Sequence, residues 1–184
     1  MSADKKSADK IAFNYLQETP YYWIKKADDL LRVAYKLEPD REPNKMNIIT
    51  GGIKYVYYML IGFALECYYK GAIIAKLLKE GNPIYPDELE PRINKHKLEV
   101  LAPKAGVKVV GKQQKVLIFL TECIKWRGRY PTPRFASDID GSIEYYSQNN
   151  DDIHVLTTIE PVITIDELHE LIDEAGNQIR SIAW

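Results

Sequence analysis

Apolar residues recur along this chain at steps of three and four, the spacing of helices buried on one face. Trp23, Ala27, Leu30, Leu31, Ala34 and Leu37 predict a first such helix. Thr19-Pro20 opens it, a threonine suited to capping followed by a proline suited to the first helical position, and Pro39 stops it. After the polar stretch 38–47, with its two prolines, a second helix is expected from about Ile48 or Ile53 to Lys79. Gly81-Asn82-Pro83 ends it. Apolar groups occur all round this helix through Leu65, which predicts the central helix of a bundle.

A proline-rich connection, Pro83 to Pro91, leads to a short amphipathic helix holding His96, Leu98, Val100, Leu101 and Ala102, closed by Pro103 and Gly106. A further helix covers Gln113 to about Trp126, with Val116, Leu117, Phe119, Leu120, Cys123 and Ile124 on its core face. Gly128 and the Pro131/Pro133 pair break the chain. Gly141 and the run Ser147 to Asp152 read as loop, and the β-branched stretch Val155 to Ile165 as a short strand or extended arm. A last helix starts near Asp166, which is expected to cap it, and carries Leu168, Leu171, Ile172, Ala175, Ile179 and Ile182 on one face. The expected fold is all-α: an up-and-down bundle of four to five helices with a small extended segment near 153–165. A polar tail (1–18) precedes the bundle (19–134), and an acidic extension (135–184) follows, its final helix packing on the bundle.

The 184 residues suit one domain. Cys67 and Cys123, both in apolar helical surroundings, read as reduced core residues of a cytoplasmic protein and not as a disulfide framework. The polar start has no apolar run behind it, and the most apolar stretch, Tyr55 to Leu65, is too short to span a bilayer, so no membrane association is expected. Five tyrosines between 55 and 69 exceed the ordinary need of one monomer core and suggest a homodimer. Charge alters this picture most. Residues 92–134 carry 11 Lys/Arg against 2 Asp/Glu, and residues 135–184 carry 1 against 11. Either the basic segment meets a polyanion, or the acidic segment folds over it.

Three groups of residues could carry chemistry. Glu66 and Lys70 lie one helical turn apart, as a surface ion pair or as a polar pair set in a cleft or interface. His96 lies between Lys95 and Lys97, as a structural hydrogen-bonding group or a catalytic one. Trp126-Arg127-Gly128-Arg129-Tyr130, continuing to Arg134, offers guanidinium forks for phosphate and aromatic faces for bases. Alternatively its arginines satisfy helix carbonyls and pair with the acidic extension. There is no glycine-rich phosphate loop and no GxSxG, and His96, His154 and His169 lack metal-ligand spacing, so neither metal nor cofactor is expected.

Three landmarks resemble, in order, the HEPN (higher eukaryotes and prokaryotes nucleotide-binding) family of helical bundles. Glu66-Cys67-Tyr68-Tyr69-Lys70-Gly71 is similar to the family's Glu-x-x-Leu-Lys-Ala, departing at Tyr69 and Gly71. His96-Lys97-Leu98-Glu99-Val100-Leu101 is similar to His-x-Leu-x-x-Leu, and Arg129-Tyr130-Pro131 to its Arg-Tyr-Pro. The resemblance spans residues 20–134 and implies a dimerising bundle. It also implies that the chain binds nucleotides, partners a nucleotidyltransferase, or cleaves RNA in toxin–antitoxin or phage-defence systems. The cleaving members carry Arg-x(4–6)-His, and no histidine follows Arg127 or Arg129 at that spacing. The resemblance therefore implies a non-catalytic nucleotide- or RNA-binding module, with Lys95, Arg127 and Arg129 on phosphate and Trp126 or Tyr130 stacking. Its alternatives are a divergent metal-independent ribonuclease using Arg129 and His96, and an assembly or scaffold protein.

Overall fold

The computed structural model describes residues 3–37, 53–81, 96–129, 143–147, 154–158 and 163–183. Helices α1 (Ala3–Glu18), α2 (Pro20–Leu37), α3 (Lys54–Lys79), α4 (Leu98–Lys104), α5 (Lys112–Glu122) and α6 (Ile165–Ala183) make an all-α bundle. A π-helical turn, Cys123–Arg127, continues α5. An antiparallel hairpin, β1 (Ile143–Ser147) with β2 (His154–Thr158), precedes α6, Ile143 facing Thr158 and Ser147 facing His154.

Helix α3 is the axis, and α2, α4, α5, the π turn and α6 all pack against it. Its 26 residues rise about 39 Å. By length and composition α3 could cross a membrane, which corrects the expectation drawn from the shorter run Tyr55–Leu65; 78% of its apolar window is nevertheless buried inside the bundle. Tyr57, Tyr58, Tyr68 and Tyr69 are buried within the single chain, so the tyrosine count of this helix does not by itself require a second copy. Tyr58 stacks edge-on with Phe119 at 5.3 Å. Helix α2 lays Ile24, Ala27, Leu31 and Ala34 on α3, the face read from the sequence. Burial of Ile24 and Leu31 contributes about 1.5–3 kcal/mol each, and the alanines let the helices approach.

Four local expectations are corrected. Residues 3–18 form helix α1 and not a loose tail. Good helix formers dominate it, but its Ile11, Phe13, Tyr15 and Leu16 are all exposed and follow no buried face, so periodicity gives no sign of it. Thr19 Oγ1 bonds back to the Tyr15 carbonyl at 2.6 Å, serving the end of α1. At α6 the cap is Thr164, not Asp166. Glu167 N–H donates to Thr164 Oγ1 at 3.2 Å and Thr164 N–H to Glu167 Oε2 at 2.9 Å, a reciprocal capping box. Finally, the β-branched stretch has a partner strand at 143–147, in a region whose composition reads as loop.

Gly71 sits where α2, α3 and α6 come closest. A Cβ there would overlap Ile179 Cδ1 and lie 3.0 Å from Trp23 Cβ. This crossing accounts for a glycine where the resembling motif has alanine. Gly71→Ala should lower stability by about 1–3 kcal/mol through overpacking, despite alanine's better helix propensity. A thermal midpoint at or above wild type would show that Ile179 yields without cost.

Candidate functional site

The described core contains four buried polar residues: Glu66, Lys70, Thr121 and Arg127. They fall into two groups along α3. In the first, Lys70 Nζ donates to Glu66 Oε1 at 2.5 Å, with side chains only 9% and 7% exposed. The expectation of a surface pair is therefore overturned, because the surrounding helices close over this turn of α3. His96 Nδ1 lies 3.1 and 3.0 Å from the two Glu66 oxygens. A carboxylate only accepts, so Nδ1 carries the hydrogen and Nε2 is the ring nitrogen left for other partners. The His96 side chain is 53% exposed, so one face of this acid–base group is open to solvent. The Trp23 ring, 5.7 Å from Lys70 Nζ, adds a cation–π contact.

Position rather than helix places His96. It lies just before α4, which starts at Leu98, and not within the helix as the sequence suggests. The Leu98 N–H donates to Thr121 Oγ1 at 3.0 Å, and that hydroxyl donates to Glu99 Oε2 at 3.1 Å. Thr121 thus ties the start of α4 to α5 and brings the imidazole over Glu66.

In the second group, Arg127 Nε donates to Glu122 Oε2 at 2.8 Å, and the guanidinium lies 4.8 Å from the Trp126 ring centroid and 5.7 Å from that of Phe119. The π turn makes this pairing: Gly128 N–H bonds the Cys123 carbonyl five residues back, at 3.1 Å. Residues five apart do not meet on an α-helix, so spacing carries no signal for Glu122. Trp126 is 8% exposed and Arg127 7%, so neither is the open stacking platform or phosphate fork expected of them. Arg129 is exposed. Lys95 and Tyr130 lie outside the described residues.

The two groups stand at different heights. A Cβ on Gly128 would collide with Met59, whereas His96 bonds Glu66, seven residues further along α3, a rise of about 10 Å. No described contact joins His96 to Arg129.

A third cluster, hidden in the sequence because its members are 40 to 152 residues apart, links three helices. Tyr68 on α3 donates to Asp28 on α2, and Arg180 on α6 reaches Asp28 and the Tyr68 hydroxyl, each at 3.4 Å. Burial, reinforced by Asp28, pushes the Tyr68 hydroxyl well up; burial and then Glu174 do the same for Tyr69. Burial, then the Glu66 carboxylate, pushes the Cys67 thiol up to about 11 from 9.0.

No protein-family model matches the chain, and no curated protein and no solved structure matches it.

Two measurements test these groups. Removing one member of the buried pair strands the other, so Glu66→Gln or Lys70→Met alone should cost about 3–5 kcal/mol, while Glu66→Leu/Lys70→Met together should cost far less than the sum. Additive losses in urea unfolding would show that the pair is not coupled. The second concerns alkali. The fold holds the protons of Cys67, Tyr68 and Tyr69 where the unfolded chain releases them, so their contribution is intact below about pH 9 and fades as pH rises through about 11. Unfolding midpoints should be flat from about pH 7 to 8.5 and fall above 9; a flat profile to pH 11 would refute these assignments.

Proposed function

We propose that this chain is a HEPN-like nucleotide- or RNA-binding module that holds its ligand without cleaving it. The observation that carries this reading is the half-exposed His96 ring hydrogen-bonded to a buried Glu66–Lys70 pair. A buried, fully paired acid and base are poor reactants but a rigid wall, and they fix the imidazole that meets the solvent. With Nδ1–H held by Glu66, Nε2 accepts from a ribose hydroxyl or base N–H when the ring is neutral and donates to phosphate oxygen when it is charged. The exposed Lys97 beside it favours an anionic ligand. Against cleavage stand the missing Arg-x(4–6)-His, the engagement of Arg127 with Glu122, and the separation of Arg129 from His96. Homodimerisation and a partner such as a nucleotidyltransferase, in a toxin–antitoxin or phage-defence setting, belong to the same proposal.

One observation favours a second reading. A carboxylate holding imidazole Nδ1 is also how a general base is oriented, so a divergent ribonuclease would use the same Glu66–His96 geometry.

The test is titration of ATP and of a short single-stranded RNA, with the RNA also checked for integrity. His96→Ala should weaken binding about tenfold or more, the value of one hydrogen bond to a charged group, while costing only about 1–3 kcal/mol of stability from the bond lost at Glu66. Equal affinity for wild type and His96→Ala would end the binding reading, and RNA cleavage lost in that variant would establish the second.

A further inference from the structure

Charge is sorted by exposure along the segment from Leu98 to Arg129. Every exposed charged side chain there is basic: Lys104, Lys108, Lys112, Lys115, Lys125 and Arg129. The two carboxylates of the segment are both half-buried and engaged inside the protein, Glu99 by the Thr121 hydroxyl and Glu122 by Arg127. The buried Arg127 has a consequence at the surface, because it withdraws the one acid from the outer face of α5. Lys115, Ile118 and Glu122 succeed one another at steps of three and four and form one outward ridge of α5, and the exposed Lys125 follows it on the π turn. Among the described residues, Lys104, Lys108, Lys115 and Lys125 make no ion pair; Lys112 alone reaches α6, at Glu167, whose carboxyl it holds below its ordinary range together with the Thr164 backbone. Among these lysines one strut therefore joins the segment to the acidic final helix, and that helix leaves Lys115 and Lys125 without an ion pair. Asp151 and Asp152, the other acids expected to mask it, lie outside the described residues.

We infer that this outer ridge of α5 is a seat for the phosphate backbone of a nucleic-acid duplex, recognised by charge and shape and not by sequence. Charge complementarity selects a polyanion. The absence of any exposed aromatic side chain between Leu98 and Arg129 among the described residues selects the duplex over the single strand. Single-strand grooves add stacking aromatics to their cations, whereas a duplex presents its phosphates at high, fixed density and needs none. The ridge is separate from the Glu66–His96 site and its failure leaves that reading untouched: it faces outward from α5, while His96 is tied to the Thr121 side.

The experiment uses the full chain, a short RNA duplex as probe, and the variant Lys108→Gln/Lys115→Gln/Lys125→Gln. These are exposed lysines with no described ion pair, so the variant should keep its thermal midpoint and its ATP affinity. Fluorescence anisotropy between about 50 and 200 mM salt should show wild type binding the duplex, with log affinity falling linearly in log salt. The variant should bind on the order of tenfold more weakly with a slope shallower by about two to three, near 0.9 for each phosphate no longer neutralised. His96→Ala should bind the duplex as wild type does. Identical slopes for wild type and the triple variant would overturn the proposal. So would no duplex binding by wild type at low salt, tighter binding of single-stranded RNA than of duplex by the His96→Ala protein, or equal binding of polyglutamate.

Discussion

The structure depends on enclosing α3. A 26-residue helix with apolar groups all round through Leu65 has little face to give to water, so the remaining helices must cover most of it. That requirement explains why α2, α4, α5 and α6 share α3 as their common neighbour. It also explains the small residues along it. Gly62 lets α5 and its π turn approach until Ile124 Cγ1 would stand 2.9 Å from an added Cβ, and Gly71 does the same for α2 and α6 on the other side. Backbone separation here is set by what α3 lacks, and the large side chains of the neighbours fill the room so made.

Enclosure makes every polar group on α3 consequential. Glu66 and Lys70 are tolerated because they satisfy each other, with His96 taking the remaining carboxylate capacity at the surface. Glu122 and Arg127 solve the same problem lower on the seam between α3 and α5. Each pair is local, Glu66–Lys70 within α3 and Glu122–Arg127 within α5 and its π turn, so each charge is compensated by its own element before the helices pack.

The periodic helices are legible in the sequence because burial on one side writes a repeat of three and four, and α2, α5 and α6 carry it, while α3 is legible by its long apolar run. Helix α1 lacks such a face and therefore reads as tail. Of the site, Glu66 and Lys70 are legible by spacing alone, and His96 by its place in a motif, but their meeting is not: it depends on Thr121 holding the start of α4, a contact 23 residues away. Trp126 and Arg127 read as surface groups from their residue types, although helical spacing from Leu120 and Cys123 already sets Arg127 on the inward face. The π-helical turn adds the pairing with Glu122, and nothing in residues 123–127 announces that turn. Asp28, Tyr68 and Arg180 are illegible for a simpler reason, being brought together only by the finished bundle.

That last cluster has a consequence for how the molecule comes into being. Arg180 meets the Tyr68 hydroxyl across 112 residues of chain, and Ile179 fills the space left at Gly71. A ribosome adding about 5–20 residues per second makes α6 roughly 6–20 s after the part of α3 it will cover. Through that interval the most apolar helix of the protein has one side open, carrying Tyr68 and the Gly71 notch. The nascent chain therefore passes through a stage in which its axis is exposed to chaperones and to other nascent chains alike, and the arrival of α6 brings that stage to an end.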